Sequence, residues 1–187
     1  MNKAAQAADP ALAPPLAAYA GARPPAPQWF IDAVEAPHER HRLQVEGAGI
    51  EWLAWGPRGK PGLMLLHGNG AHADWWRFIA PFLAETHRVA TLSWSGMGGS
   101  DHRPRYTVDL FVAEILAVAE AAGLMETGPF TILGHSFGGV LTSLMLAQQP
   151  QLFRRAVLLD PVLFSPAMIG VMALSDVVGL SRRTSLA

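Results

Sequence analysis

The stretch Gly134-His135-Ser136-Phe137-Gly138 constrains this chain more than any other. It fits G-x-S-x-G, a strand-turn-helix elbow that lifts a serine above the end of a parallel sheet. The flanks agree with that reading. Pro129 to Leu133 has the pattern of a short buried strand, and Gly138 to Gln149 that of a helix stopped by Pro150. A serine held at strained backbone angles needs neighbours without Cβ atoms, so that strand and helix can approach closely.

Around this turn the chain alternates between strand and helix patterns. Trp29, Phe30, Ile31 and Val34 suit a short amphipathic helix. His41 to Glu46 and Ile50 to Trp55 read as a hairpin joined by Gly47-Ala48-Gly49. Leu63 to Leu66 is a continuous apolar run ending at His67-Gly68, as expected of a strand buried on both faces. A helix over about 74–84 is expected to kink or break at Pro81. Arg88 to Ser93 is the next strand, and Trp94 to Arg105 a glycine-bearing loop. Thr107 to Ala122 is the clearest helix, with Thr107 as N-cap, Asp109 in the first turn and Gly123 as its stop. Ala156 to Leu159 is a further buried strand ending at Asp160. Two antiparallel strands followed by strand–helix units predict an α/β fold, a mostly parallel sheet with flanking helices and right-handed crossovers.

Composition narrows the function classes. The chain has 187 residues, half of them hydrophobic and 16% charged, which suits one domain with a buried core. Residues 1–28 are mostly Ala and Pro and read as a flexible lead to a core over residues 29–164. A net charge of −1 gives no footprint for nucleic acid. The absence of cysteine excludes disulfides and thiolate metal sites. Asp9 and the prolines interrupt the N-terminal alanines, so no signal peptide is read and a cytoplasmic location is expected. Val162 to Leu180 is apolar, but Pro166 and Asp176 within it argue against a membrane span. His38-Glu39-Arg40-His41 is one residue short of H-E-x-x-H and reads as a solvated turn. The Gly96–Gly99 run lacks the G-K-[S/T] ending of a phosphate loop.

Four features together resemble the α/β-hydrolase family: His67-Gly68-Asn69-Gly70 after the third strand, Ser95-Gly96-Met97-Gly98-Gly99-Ser100 after the fourth, the G-x-S-x-G elbow, and Asp160 closing the sixth. The resemblance runs from about Arg42 to Phe164, and implies a sheet without the family's final strands, with residues 165–187 as the start of a cap or C-terminal segment. It implies hydrolysis of an ester, a lactone or a related acyl or carbon–carbon substrate, with Ser136 as nucleophile. A serine at this place differs from relatives that carry aspartate there and displace halide or open epoxides. Backbone N–H groups of Asn69 and Phe137 would form the oxyanion hole, with Gly70 as the alternative second donor. No cofactor is implied.

Other residues keep two readings. His67 is expected to brace the oxyanion loop, and His135 to point away from Ser136. Asp160 is either the catalytic acid or a structural carboxylate. Trp75, Trp76 and Trp94 either line an acyl pocket or fill the core. Asp101 is expected to organise its loop, whereas Ser93 stands where family members commonly have Asp. The family order places a histidine after the acid, and no histidine follows Ser136. The 187 residues are therefore expected to be inactive as they stand; the alternative is a non-catalytic binding module of the same fold. The implied partner is a small acyl substrate rather than nucleic acid or membrane. An exposed edge at Ala156–Asp160 is expected to favour self-association.

Overall fold

A computed structural model of the chain describes residues 16–161. The apolar run Val162–Leu180, the expected cap-like segment and most of the Ala/Pro lead lie outside the described residues. Within them the elements follow as α1 (Gln28–Glu35), β1 (Glu39–Val45), β2 (Ala48–Trp55), β3 (Gly62–Leu66), a 3-10 turn (Ala73–Trp76), α2 (Ala80–Leu83), β4 (Arg88–Leu92), α3 (Val108–Ala121), β5 (Phe130–His135), α4 (Phe137–Gln148) and β6 (Phe153–Leu159). The strands form one six-stranded sheet in the order β1-β2-β4-β3-β5-β6. β1 and β2 are antiparallel, β2 runs against β4, and β4, β3, β5 and β6 are mutually parallel.

Alternation along the central strands fills two cores. Ile50, Trp52, Met64, Leu66, Ala90, Leu92 and Ile132 face one side, where Phe111, Ile115 and Val118 of α3 and Leu141 and Met145 of α4 pack on them. Leu53, Trp55, Leu63, Leu65 and Val89 face the other, under Trp76 and Ala80. In β3 and β4 every residue is buried; the continuous apolar run predicts this for β3, whereas β4 buries Arg88 and Thr91 as well. Thr107 caps α3, its side chain accepting the Leu110 N–H at 3.2 Å, and Gly123 follows the helix at φ 75°.

Four local expectations change. The hairpin turn is Glu46-Gly47, both at positive φ, so Ala48 and Gly49 belong to β2. A two-residue turn of that kind matches the twist of the strands it joins. The expected 74–84 helix is two short pieces. Pro81 lies in the first turn of the second, where its missing N–H costs nothing, so the break falls before it rather than at it. β6 begins three residues earlier than its apolar run, taking in the exposed Arg154 and Arg155, and the run itself is not the buried strand expected: as the edge of the described sheet it leaves Val157, Leu158 and Leu159 exposed. His38–His41 is no turn: Glu39, Arg40 and His41 pair with Ala54, Leu53 and Trp52 across β1 and β2.

Two guanidinium groups clip the periphery to the sheet. Arg88 is buried and donates to the Ala122 carbonyl at 2.9 Å, the Gly56 carbonyl at 2.6 Å and both Glu39 oxygens at 2.5 and 3.0 Å. Arg103 donates to the carbonyls of Val45 and Glu46 at 2.7 and 2.6 Å and pairs with buried Glu114 at 3.1 Å.

Candidate active site

Ser136 joins β5 to α4 with φ 51° and ψ −114°, a conformation that L-residues rarely adopt. Its N–H donates to the Leu159 carbonyl at the end of β6 at 2.9 Å, and its own carbonyl accepts the Gly139 N–H at 2.9 Å. The glycines around it are there for closeness. A Cβ on Gly138 would stand 2.7 Å from both the Cβ and the carbonyl oxygen of Leu66. One on Gly134 would stand 2.5 Å from the Gly138 carbonyl carbon and from Thr142 Oγ1. Gly68, in the loop after β3, belongs to the same set, since its Cβ would lie 3.0 Å from Ser136 Cβ.

The loop after β3 is braced from beneath by His67. This imidazole is fully buried, with Nδ1 2.7 Å from the Gly68 carbonyl. A carbonyl only accepts, so Nδ1 carries the proton and Nε2 is free to accept the Trp94 N–H at 3.5 Å. The Trp94 indole donates back to the His67 carbonyl at 3.1 Å. Burial lowers the His67 pKa to about 4, with the like charges of His72 and His135 adding to it and the Gly68 bond opposing. A group so placed is a neutral brace and not a proton acceptor for Ser136. Among the hydrogen bonds of the described residues, neither the Asn69 nor the Phe137 N–H has an acceptor. Phe137 is the first residue of α4, where the helix leaves its N–H groups unsatisfied.

The three tryptophans separate. Trp94 is wholly buried between His67, Phe111 and Phe137, and Trp76 is buried in the core under α2, so core filling accounts for both rather than the walls of a pocket. Trp75 is 51% exposed and lies parallel to the His135 ring, 10° between planes with centroids 6.1 Å apart. His135 thus turns toward Trp75, on the sheet face opposite α4's core residues, and its Nδ1 is buried without a partner among the described residues.

Asp160 follows β6 at φ 45°, another left-handed non-glycine residue. β5 and β6 pair with His135 opposite Leu159, which brings Ser136 and Asp160 side by side at the ends of neighbouring parallel strands. The Asp160 side chain is exposed.

The loop after β4 is organised by three carboxylates, two of which, Glu51 and Glu114, sequence motifs did not single out. Ser93 Oγ donates to Glu51 Oε2 at 2.8 Å, and the Gly99 N–H reaches the same oxygen at 3.0 Å. Glu51, arriving from β2, thus supplies the negative charge that an Asp at position 93 would place there. Burial pushes its carboxyl up, but the bonds from Ser93 and Gly99 and the Arg40 charge outweigh that and hold it below the usual range. Asp101 closes the loop as expected. Its Oδ2 accepts the Gly49 N–H at 2.7 Å, its carbonyl accepts the Gly96 N–H at 2.8 Å, and Arg42 pairs with Oδ1. Glu114 accepts the Ser95 N–H at 3.1 Å from inside α3; burial raises its pKa against the opposing pull of Ser95 and Arg103. A carboxylate on the apolar stripe of α3, between Phe111 and Ile115, was the sequence signal for it.

Among the described residues no cluster of three or more His, Cys, Asp or Glu is placed to hold a metal ion. No helix among them is long and apolar enough to cross a membrane.

The family model described as the alpha/beta hydrolase fold matches residues 61–179. A serine hydrolase-like protein of Dictyostelium discoideum is 38% identical over 120 residues, covering 61% of this chain and 32% of that protein. Epoxide hydrolase 4 of Homo sapiens is 26% identical over 142 residues, covering 74% of this chain and 38% of that protein. Among solved structures, a 2-hydroxy-6-oxo-6-phenylhexa-2,4-dienoate hydrolase of Rhodococcus matches with a TM-score of 0.60 and 29% identity over 67% of this chain and 47% of that one. The chain spans less than two fifths of the length of these two curated relatives. With the strand order, the elbow and this match in agreement, the chain belongs to the alpha/beta hydrolase fold family.

Proposed function

We propose that this chain carries the serine and the oxyanion-binding half of a hydrolase acting on an ester, a lactone or a related acyl or carbon–carbon substrate. The observation that carries the reading is the backbone of Ser136, a non-glycine residue at φ 51° and ψ −114° between a buried strand and a helix. Such strain persists only where surroundings over-determine it, and it clusters at reactive residues. In this reading Ser136 Oγ attacks the substrate carbonyl. The unspent N–H groups of Asn69 and Phe137 stabilise the oxyanion, with Gly70 as alternative second donor. Trp75 forms a wall of the acyl pocket. Asp160, beside Ser136, orients the imidazole that would take the serine proton. Serine at the elbow favours acyl transfer over the epoxide opening named in one relative.

A serine hydroxyl needs a base. Among the described residues no histidine hydrogen-bonds to Ser136, and none follows it in the sequence. The 187 residues alone are therefore expected to hydrolyse p-nitrophenyl acetate poorly, lacking general-base help of about 10²–10⁴-fold. The same observation favours a second reading, a binding module that keeps the pocket without the chemistry. A fluorophosphonate probe separates the two. Labelling of Ser136 in a form extended to include a histidine-bearing C-terminal part, lost in Ser136→Ala, supports the hydrolase; no labelling in any form supports the binding module. β6 forms one edge of the described sheet, with Val157, Leu158 and Leu159 exposed. Self-association through that edge is the further partner this reading expects, and light scattering showing only monomer would remove it.

A further inference from the structure

Two loops lie beside the elbow and both lead to one guanidinium: residues 67–76 after β3, whose Gly68 stands against Ser136, and residues 93–101 after β4, whose Trp94 packs on Phe137. Arg40 stands in β1, away from the elbow. Its Nη1 donates to Glu51 Oε1, and its Nη2 donates to Asp74 Oδ1 at 2.5 Å. Glu51 holds the second loop through Ser93 Oγ and the Gly99 N–H. Asp74 belongs to the first loop, and its neighbour Ala73 donates its N–H to the same Ser93 Oγ at 3.0 Å. The contacts close a ring: Arg40, Glu51, Ser93, Ala73, Asp74 and back to Arg40.

Ala73 and Asp74 open the 3-10 turn that carries Trp75, the ring lying parallel to His135 next to Ser136. Other groups touch Asp74 only at the margin: Arg77 Nη1 and His72 Nδ1 each lie 3.5 Å from its carboxylate. Among the described residues Arg40 alone bonds both Glu51, the β2 carboxylate that holds the second loop, and Asp74 of the first. We propose that Arg40 is a positioning residue, whose fork locks the two loops to each other and thereby sets the Trp75 ring against His135 at the mouth of the site. The use of Trp75 rests on the reading given above.

The chemistry asks for arginine. A planar guanidinium offers two parallel donors to two separate acceptors, whereas a lysine ammonium is a point charge on a flexible stem. Arg40 is also 42% exposed, and exposed ion pairs add little to global stability. Its removal should therefore displace Trp75 more than it lowers the melting temperature.

The test reads the ring-current shift that Trp75 imposes on the ring protons of His135, by NMR on the full chain. Trp75→Ala defines complete loss, and His135→Gln assigns the signals. Arg40→Gln is expected to remove more than half of that shift while Tm moves by only a few degrees. Glu51→Gln should act in the same direction, and the double variant should add nothing beyond either single one, because both open the same ring. Arg40→Lys, which keeps charge and most of the stem, should lose an intermediate share, and it serves where the Gln variant fails to fold. Retention of the full shift in Arg40→Gln or Arg40→Lys overturns the proposal, as does a loss shared equally by core residues around Phe111. The acyl-pocket reading fails separately, if Trp75→Ala leaves fluorophosphonate labelling of an active, extended form unchanged.

Discussion

Replacing Ser136 by glycine should make the protein more stable, and by an amount that the elbow geometry sets. At φ 51° and ψ −114° the Cβ of any L-residue is crowded by its own backbone. Conformations of this class cost about 1–3 kcal/mol each. Glycine removes that cost but loses about 0.5–1 kcal/mol more conformational entropy on folding. The proper reference is Ser136→Ala, which deletes the hydroxyl and keeps the Cβ. Taking the middle of each range, Ser136→Gly should then exceed Ser136→Ala by roughly 1 kcal/mol. In a domain of this size 1 kcal/mol moves Tm by about 2–4 °C. Urea melts of the two variants with matched slopes give the difference directly. If Ser136→Gly proves equal to or less stable than Ser136→Ala, the serine is not strained, and the argument from strain to reactivity falls.

Three further outcomes are expected. Gly134→Ala would press a methyl to 2.5 Å from the Gly138 carbonyl carbon and Thr142 Oγ1, and should destabilise by about 1–3 kcal/mol or more in the same urea assay. Glu39 is held at about 2, chiefly by its hydrogen bond from Arg88 and against burial. Its folded pKa lies below its unfolded one, so its contribution is present above about 4.5 and lost as pH falls toward 2. Its side chain is 47% exposed, so screening leaves about 1 kcal/mol, and Glu39→Gln should flatten the acid limb of stability by that much. His67, with a folded pKa of about 4, stays neutral while the unfolded chain takes up its proton below about 6.5. Stability should fall as pH drops between those values by about 3 kcal/mol in total, and His67→Gln should remove that slope; a signal assigned to the His67 imidazole and titrating near 6.5 by NMR would contradict the burial argument.

The sequence was most legible where one local rule acts alone. The two-face burial of β3 follows from an unbroken apolar run, and the start of α3 from a threonine before an apolar stripe. The elbow declared itself because its glycines answer a steric demand within a few residues. Charge networks were hidden for the opposite reason. Arg40, Glu51 and Asp74 come from three elements, and nothing in their local spacing says that they meet. Arg88 looked like the first residue of a strand, yet it is buried because Glu39, Gly56 and Ala122 converge on it from elsewhere. The tryptophans needed the fold as well. Trp75 and Trp76 are adjacent in sequence, and only the pitch of one 3-10 turn sends one to the core and the other outward.

The bond from the Ser136 N–H to the Leu159 carbonyl gives the elbow a dependence on chain order. The turn is written in residues 134–138, but one of the anchors that hold it is delivered by a strand that comes after the following helix. During synthesis the pentapeptide emerges, and α4 winds behind it, before β6 exists to receive that hydrogen bond. Until then the serine lacks this partner and is freer to relax into an ordinary turn. The strained geometry is completed only when β6 docks beside β5, so the conformation of Ser136 is tied to assembly of the sheet and not to the motif alone.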